Sequence, residues 1–420
     1  MDRMGQEENY DFLIIGAGAA GLAAAVSFCR AGGRRVLLVE GGAEAGQKIL
    51  ATGNGRCNLS NTDAEGWDRS RAFFESLGLL LDVDATGRVY PYSRRAASVR
   101  DALAGAARAG GVAFAPRVRI EDVRQSADGG FDVSGKRLDG TPASPASPAS
   151  PSSPTFHATA AKVLVATGGK SCPQYGNFGH GFTIARRFGL QLAPIRPGLV
   201  PLLYTDEARA RRSALKGVRA GGVGLSLLAD GRPVAFSEGE IQFVQDGISG
   251  ICVFDLSLHL REGAQHTVRV DFLQGASGAS WTGQDIDVRI DSLLAAGRAA
   301  GLPRPHIVET EKNRPHSVWL SGIVHEKLAG LLRREELRAF DIPVKGTRGW
   351  KDAQTTVGGI LPEELSPDSY EAKRVPGLYF AGEVIARSFP CGGYNLDFAW
   401  NSGIAAGASA ARQTPQEVRL

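Results

Sequence analysis

The stretch DFLIIGAGAAG, residues 11–21, decides the fold. An apolar run gives way to three glycines spaced GxGxxG (Gly16, Gly18, Gly21), and LAAAVSFCRAG continues with the alanine-rich texture of a helix. RRVLLVE then reads as a second strand ending at Glu40. A bare GxGxxG is compatible with a simple turn. Between a strand and a helix, each glycine has its own task. Gly16 makes the tight turn, Gly18 lets a pyrophosphate approach the backbone, and Gly21 lets helix and sheet pack closely. The helix start at Ala19 and Ala20 turns its positive end toward phosphates. Glu40, with Gly41 beside it, suits ribose hydroxyls.

Directly downstream, GQKILATGNGRCNLSN (residues 46–61) packs Gly53, Asn54, Gly55, Arg56, Cys57 and Asn58 into one loop. Further glycine motifs recur far along the chain: ATGG (Thr167, Gly168, Gly169), FAGE (Gly382, Glu383) and GGYN (Gly392, Gly393, Tyr394, Asn395, then Leu396) opening an alanine-rich helix. A domain binding NAD alone has no use for these additional turns. A flavin dinucleotide has, because its ribityl chain and isoalloxazine need their own loops. GNGRCN would pass along the pyrophosphate and flavin edge, with Arg56 facing negative charge. FAGE would sit beside the ribityl chain, and the helix after GGYN would aim its positive end at the N1/C2 carbonyl region.

IIGAGAAG, GQKILATGNGRCNLSN, VLVATGGKS, GEIQFVQDGISG, PGLYFAGEV and GGYNLDFAWNSGIAAG run in order through nearly the whole chain. Together they resemble the BaiN/YhiN-like family of bacterial NAD(P)/FAD-dependent oxidoreductases, flavoproteins distantly similar to fumarate reductase flavoprotein. The resemblance implies an α/β fold: a Rossmann-like FAD-binding domain interrupted by an inserted β-barrel-like plus helical domain. It implies FAD as cofactor, NAD(P)H as a transient reductant, and reduction of a conjugated C=C bond in a small-molecule enone. The alternatives are a uridine of ribosomal RNA (dihydrouridine synthesis) or FAD-dependent amine oxidation. Lys48 and Val118 complete the expected cofactor-binding set. Cys391, where family members often carry Thr, and Ile251, where they often carry Pro, depart from the pattern, and the Ser/Pro loop is extra.

Reducing a conjugated bond needs a hydride and a proton from a side chain. A thiol of ordinary pKa is protonated at pH 7, so Cys57 and Cys391 are candidate donors, with Tyr394 a third. Equally, Cys57 suits a buried packing role. His180 is either a substrate contact or a helix-entry residue, His316 a packing or surface residue, and Arg94 and Arg95 either an anion site or an exposed helix start.

The expected organisation is 1–195 and 345–420 as two parts of the FAD domain around an insert, 196–344, that shapes a substrate pocket. Within the insert 196–275 reads as β-rich and 276–344 as helical. Residues 141–155, TPASPASPASPSSPT, have almost nothing apolar to bury and read as a disordered loop. At 420 residues, 43% hydrophobic and 22% charged, the chain can build more than one core. A net charge of +4 does not suggest a polyanion partner. Residues 196–345 carry 19 Lys and Arg against 18 Asp and Glu, so there is no strong nucleic-acid footprint; RARRSALKGVR (209–219) is a local basic cluster. Five scattered cysteines without a CxxC, and no pair of His at ligand spacing, argue for a reducing compartment and against a metal. The polar N-terminus and absence of a long apolar run predict a cytoplasmic protein. Oligomeric state is not legible.

Overall fold

The computed structural model describes residues 9–127, 129–138, 155–274, 288, 292 and 324–412. Most of the Ser/Pro loop, nearly all of 276–323 and His316 lie outside the described residues. The chain divides into two compact units, Met1–Arg196 with Thr355–Leu420, and Pro197–Gln354.

The first unit begins β1 (Asn9–Ile15), α1 (Ala19–Arg30) and β2 (Val36–Val39). α2 (Gln47–Ala51), β3 (Ser60–Asn61), α3 (Trp67–Glu75), β4 (Leu81–Val83), β5 (Arg88–Pro91) and α4 (Ala96–Ala109) follow, with β3, β5 and β4 forming a small sheet. The main sheet is completed by β6 (Ala113–Ala115), β7 (Val118–Gln125), β8 (Phe131–Arg137) and β9 (Thr155–Val165). After α5 (His180–Arg187), β10 (Leu192–Gly198) leads toward the second unit.

In the second unit the order is β11 (Leu202–Tyr204), α6 (Asp206–Arg212), β12 (Arg219–Ala229), β13 (Arg232–Val244), β14 (Gly247–Ser249), α7 (Ile251–Ser257), β15 (His266–Asp271) and β16 (Phe340–Thr347). The six strands close into an antiparallel barrel, β11-β14-β13-β12-β15-β16. Alternate residues such as Leu225, Leu227, Val268, Val270, Ile342 and Val344 fill its interior, the period-2 pattern that a barrel requires. The expectation of helix through residue 344 is corrected here. DIPVK continues as strand because Val268–Ile342 and its neighbouring pairs close the barrel.

The chain returns to the first unit with β17 (Thr355–Ile360), β18 (Leu378–Phe380) and α8 (Tyr394–Arg412). No helix among the described residues is long and apolar enough to cross a membrane.

Register is what positions the site. β1, β2, β6, β9 and β18 are mutually parallel. Ile15 pairs with both Val39 and Val165, and Val165 with Phe380. β1, β2, β9 and β18 therefore end level with one another and release Gly16, Glu40, Ala166 and Ala381 along one edge. Ligands of open parallel sheets bind at this carboxyl edge. β2 is buried along its whole length, as expected for a strand covered on both faces.

α1 is buried from Ala20 to Phe28, and one of its neighbours is α8. A Cβ on Gly403 would overlap the Ala20 carbonyl oxygen, and one on Gly407 that of Ala24. The two backbones approach as closely as they do because these positions are glycine.

Candidate functional site

The first turn has the geometry expected of its glycines. Gly16 has φ +102°, and a Cβ there would sit 2.5 Å from the Ala166 oxygen. A Cβ on Gly21 would overlap the Gly16 carbonyl. Around the Cβ position of Gly18, by contrast, no atom lies within 4 Å. Gly18 caps α1 without any side-chain hydrogen bond, so the first-turn N–H groups at Ala19 and Ala20 are left as donors for an anion. Glu40 is anchored: Oε2 accepts from Ala17 N at 2.8 Å and Oε1 from Gly42 N at 2.7 Å. Each oxygen keeps a lone pair for a ribose hydroxyl. Gly41 also opens onto free space. Val118 is buried, and its N–H donates to Glu40 O, bracing the end of β2.

A second cluster joins four motifs. Lys48 Nζ donates to Glu383 Oε2 (2.8 Å) and Ser171 Oγ (2.7 Å). Glu383 Oε1 accepts from Ser171 Oγ (2.6 Å) and Thr356 Oγ1 (2.7 Å). Thr356 Oγ1 in turn accepts from the backbone N–H of Lys170 at 2.8 Å. Lys48 and Glu383 are thus paired with each other, and Gly169 is pressed against Thr356 and Glu383, where no Cβ would fit. Sequence reasoning missed Ser171 and Thr356, both wholly buried. Their signal was present in GKS and TTVGG, beside motifs already singled out. Gly168 has φ +69°, and Thr167 Oγ1 lies against Gly181 at the start of α5. Gly382 fits between α1 and α8: its N–H donates to Ser402 Oγ at 2.9 Å, and a Cβ would meet Ala20.

The third part is the GNGRCN loop with the start of α8. Gly53, Asn54 and Gly55 run left-handed at φ +56°, +54° and +81°. Arg56 is exposed, its guanidinium 5.7 Å from the Tyr90 ring centroid. Cys57 (φ +57°) is fully buried in the apolar cluster around α1 and α4. Burial pushes its thiol up to about 12, with the Thr52 hydroxyl pulling the other way. Asn58 Oδ1 is buried without a hydrogen-bond partner. A Cβ on Gly393 would overlap the Ser60 carbonyl and come within 2.9 Å of Asn58 Oδ1. Gly392, at φ +144°, leaves no room for a Cβ beside the Tyr394 ring. Burial raises the Tyr394 phenol, and Asp63 adds to the rise. Asn395 spends its amide on the Phe389 backbone in both directions, 3.1 and 2.8 Å; Leu396 packs on the α1 core. Cys391 is half-buried just before this turn, and none of the five cysteines is in a disulfide.

The residues fit a flavin dinucleotide. Two helix starts supply N–H donors, Gly18 offers a cradle open to a pyrophosphate, and Asn58 offers an orphaned buried acceptor. Outside this set, His180 begins α5, and its pKa is lowered first by burial and then by Arg119. Arg94 pairs with Asp82 and stacks on Tyr90 at 4.3 Å, so it is engaged within the protein. Among the described residues, no group of three or more His, Cys, Asp or Glu could hold a metal.

Residues 65–409 match the HI0933-like protein Rossmann domain family. The chain is 34% identical to the 3-dehydro-bile acid delta(4,6)-reductase of Clostridium scindens, covering 95% of this chain and 98% of that protein. It is 28% identical to the ribosomal RNA dihydrouridine synthase of Escherichia coli, covering 94% and 96%. Among solved structures, an open flavocytochrome c3 fumarate reductase aligns with TM-score 0.50 at 16% identity, covering 97% of this chain and 79% of that one. The 3-ketosteroid delta1-dehydrogenase of Sterolibacterium denitrificans aligns with TM-score 0.50 at 13% identity, covering 97% and 100%. At these identities the structural matches speak to fold. The order of motifs, the shared strand edge and the match over most of the chain agree: the chain belongs to the HI0933-like family of FAD-dependent oxidoreductases.

Proposed function

We propose that this chain reduces a conjugated C=C bond in a small-molecule enone. The observation that carries the reading is 34% identity, across 95% of the chain, to a relative named as a delta(4,6)-reductase of a 3-dehydro-bile acid. FAD would supply the hydride. The protein's own contribution is to hold pyrophosphate at α1, to fix the loops through Lys48, Glu383, Ser171 and Thr356, and to deliver a proton. Cys57 is poorly placed for delivery because its thiol is sealed in the core. Tyr394 is partly exposed and its raised pKa keeps it protonated at neutral pH, so we assign it the proton transfer, with half-buried Cys391 as the alternative. NAD(P)H would bind transiently as reductant, since the sequence has no second GxGxxG.

Ribosomal RNA as substrate is the second reading, supported by the relative at 28% identity. The basic cluster 209–219 gives it little help. Arg211 pairs with Glu207, Arg219 with Glu240, Lys216 bonds Gln245, and Arg212 donates to the Asp341 carbonyl.

Anaerobic spectroscopy separates the readings. The flavin band should bleach on adding NADPH or NADH and recover on adding a steroid enone, with saturated product formed. Recovery with uridine-containing RNA instead, accompanied by dihydrouridine, would favour the second. A flavin that no pyridine nucleotide reduces would overturn the donor assignment.

A further inference from the structure

A buried, unpartnered acceptor sits where the GNGRCN loop meets the turn before α8. Asn58 Oδ1 is buried and unpartnered, a costly state for a polar atom unless something else donates to it. It lies against Gly393, immediately before the first turn of α8, whose N–H groups are donors. Donors beside an acceptor complement the pyrimidine edge of an isoalloxazine. There the C2 carbonyl accepts and N3–H, the only N–H of the oxidised ring, donates.

The bonds that hold this acceptor in place converge on one carboxylate. Asp397 is 3% exposed. Its Oδ1 accepts from Ser60 Oγ in the loop and from Ser70 Oγ in α3, both at 2.7 Å. Asn401 Nδ2 reaches Oδ2 at 3.2 Å. On either side of this node, Trp400 Nε1 donates to Leu59 O at 2.9 Å, and Asn61 Nδ2 to Gly392 O at 3.2 Å. Residues 59, 60 and 61 are thus each tied to α8 or to the glycine turn before it, more than 300 positions away, while Asn58 Oδ1 is left uncommitted.

We propose that Asp397 is a positioning residue that, through Ser60, holds Asn58 Oδ1 ready to accept a hydrogen bond from N3–H of bound flavin. The inference rests on the FAD reading. It assigns Asp397 no contact with the reacting atoms and no part in proton transfer.

The test compares apoprotein binding of FAD with that of FAD methylated at N3, followed by flavin fluorescence. Wild type should prefer FAD by about tenfold or more, the scale of one buried hydrogen bond. Asn58→Ala should abolish most of that preference, and Asp397→Asn should reduce it severalfold. Ser60→Ala should do the same and serves as the readout should Asp397→Asn fail to fold by circular dichroism. A merely structural Asp397 would weaken both flavins equally and leave the ratio at the wild-type value, which overturns the proposal. So would a wild type that binds both flavins equally well. A wild type that binds neither flavin would instead sink the FAD reading itself.

Discussion

Cys57 and Tyr394, two of the residues weighed for proton transfer, differ most in their surroundings. Both carry an exchangeable proton and both lie in glycine motifs, yet one is sealed in an apolar cluster and the other is only partly covered. Cys57→Ala should therefore keep turnover and lose about 1 kcal/mol of stability, read by denaturant unfolding beside steady-state assays. Tyr394→Phe should cut turnover by about a hundredfold, the usual scale of a general acid, while leaving flavin reduction by its donor intact in rapid mixing. Asp397 carries a separate pH signature. Burial raises its carboxyl above the ordinary 3.8, despite donors from Ser60, Ser70, Gly66 and Asn401 that oppose the rise. A raised folded value means that its stabilising contribution is complete below the unfolded value and is lost as pH rises through the folded one. Asp397→Asn lacks this loss, so the stability difference between wild type and variant should shift in the variant's favour as pH climbs from below the ordinary carboxyl value of 3.8 through the raised one.

Two elements bring the distant motifs together. α1 and α8 pack backbone to backbone at Gly403 and Gly407, which draws the GxGxxG turn and the GGYN turn into one neighbourhood. Gly403→Val would force these helices apart, at a cost of about 1–3 kcal/mol or more from overpacking. FAD should be lost on purification even where circular dichroism stays native. The loop clamp at Glu383 acts between strands. Glu383→Gln leaves Lys48 without its carboxylate and should cost about 1–3 kcal/mol, visible as a lower melting temperature of the apoprotein and weaker FAD retention.

The chain holds two units with separate apolar cores, and every residue proposed to hold FAD lies in the first. Calorimetry should resolve two transitions. Adding FAD at about a hundredfold over its dissociation constant should raise only the transition of the first unit, by about 2.7 kcal/mol at 25 °C.

Local spacing was enough to determine the βαβ start, the β-rich character of 196–275 and the identity of the glycine turns. Gly16 needs its positive φ, and Gly21 its close approach to the Gly16 carbonyl, within one turn of the chain, and the motif order carried the family. The sixth barrel strand was not legible, because β16 lies some 70 residues after β15 and its partner in register is chosen by pairing. Nor were Ser171 and Thr356, ordinary hydroxyl residues until the ends of β9, β17 and β18 bring them to Glu383. Sequence put Cys57 ahead of Tyr394 as proton donor, and the burial of Cys57 that argues for the reverse order was not legible, since burial is a property of the packed core. Residue chemistry and short-range geometry are written locally. Which groups meet, and which are desolvated, was decided by long-range packing.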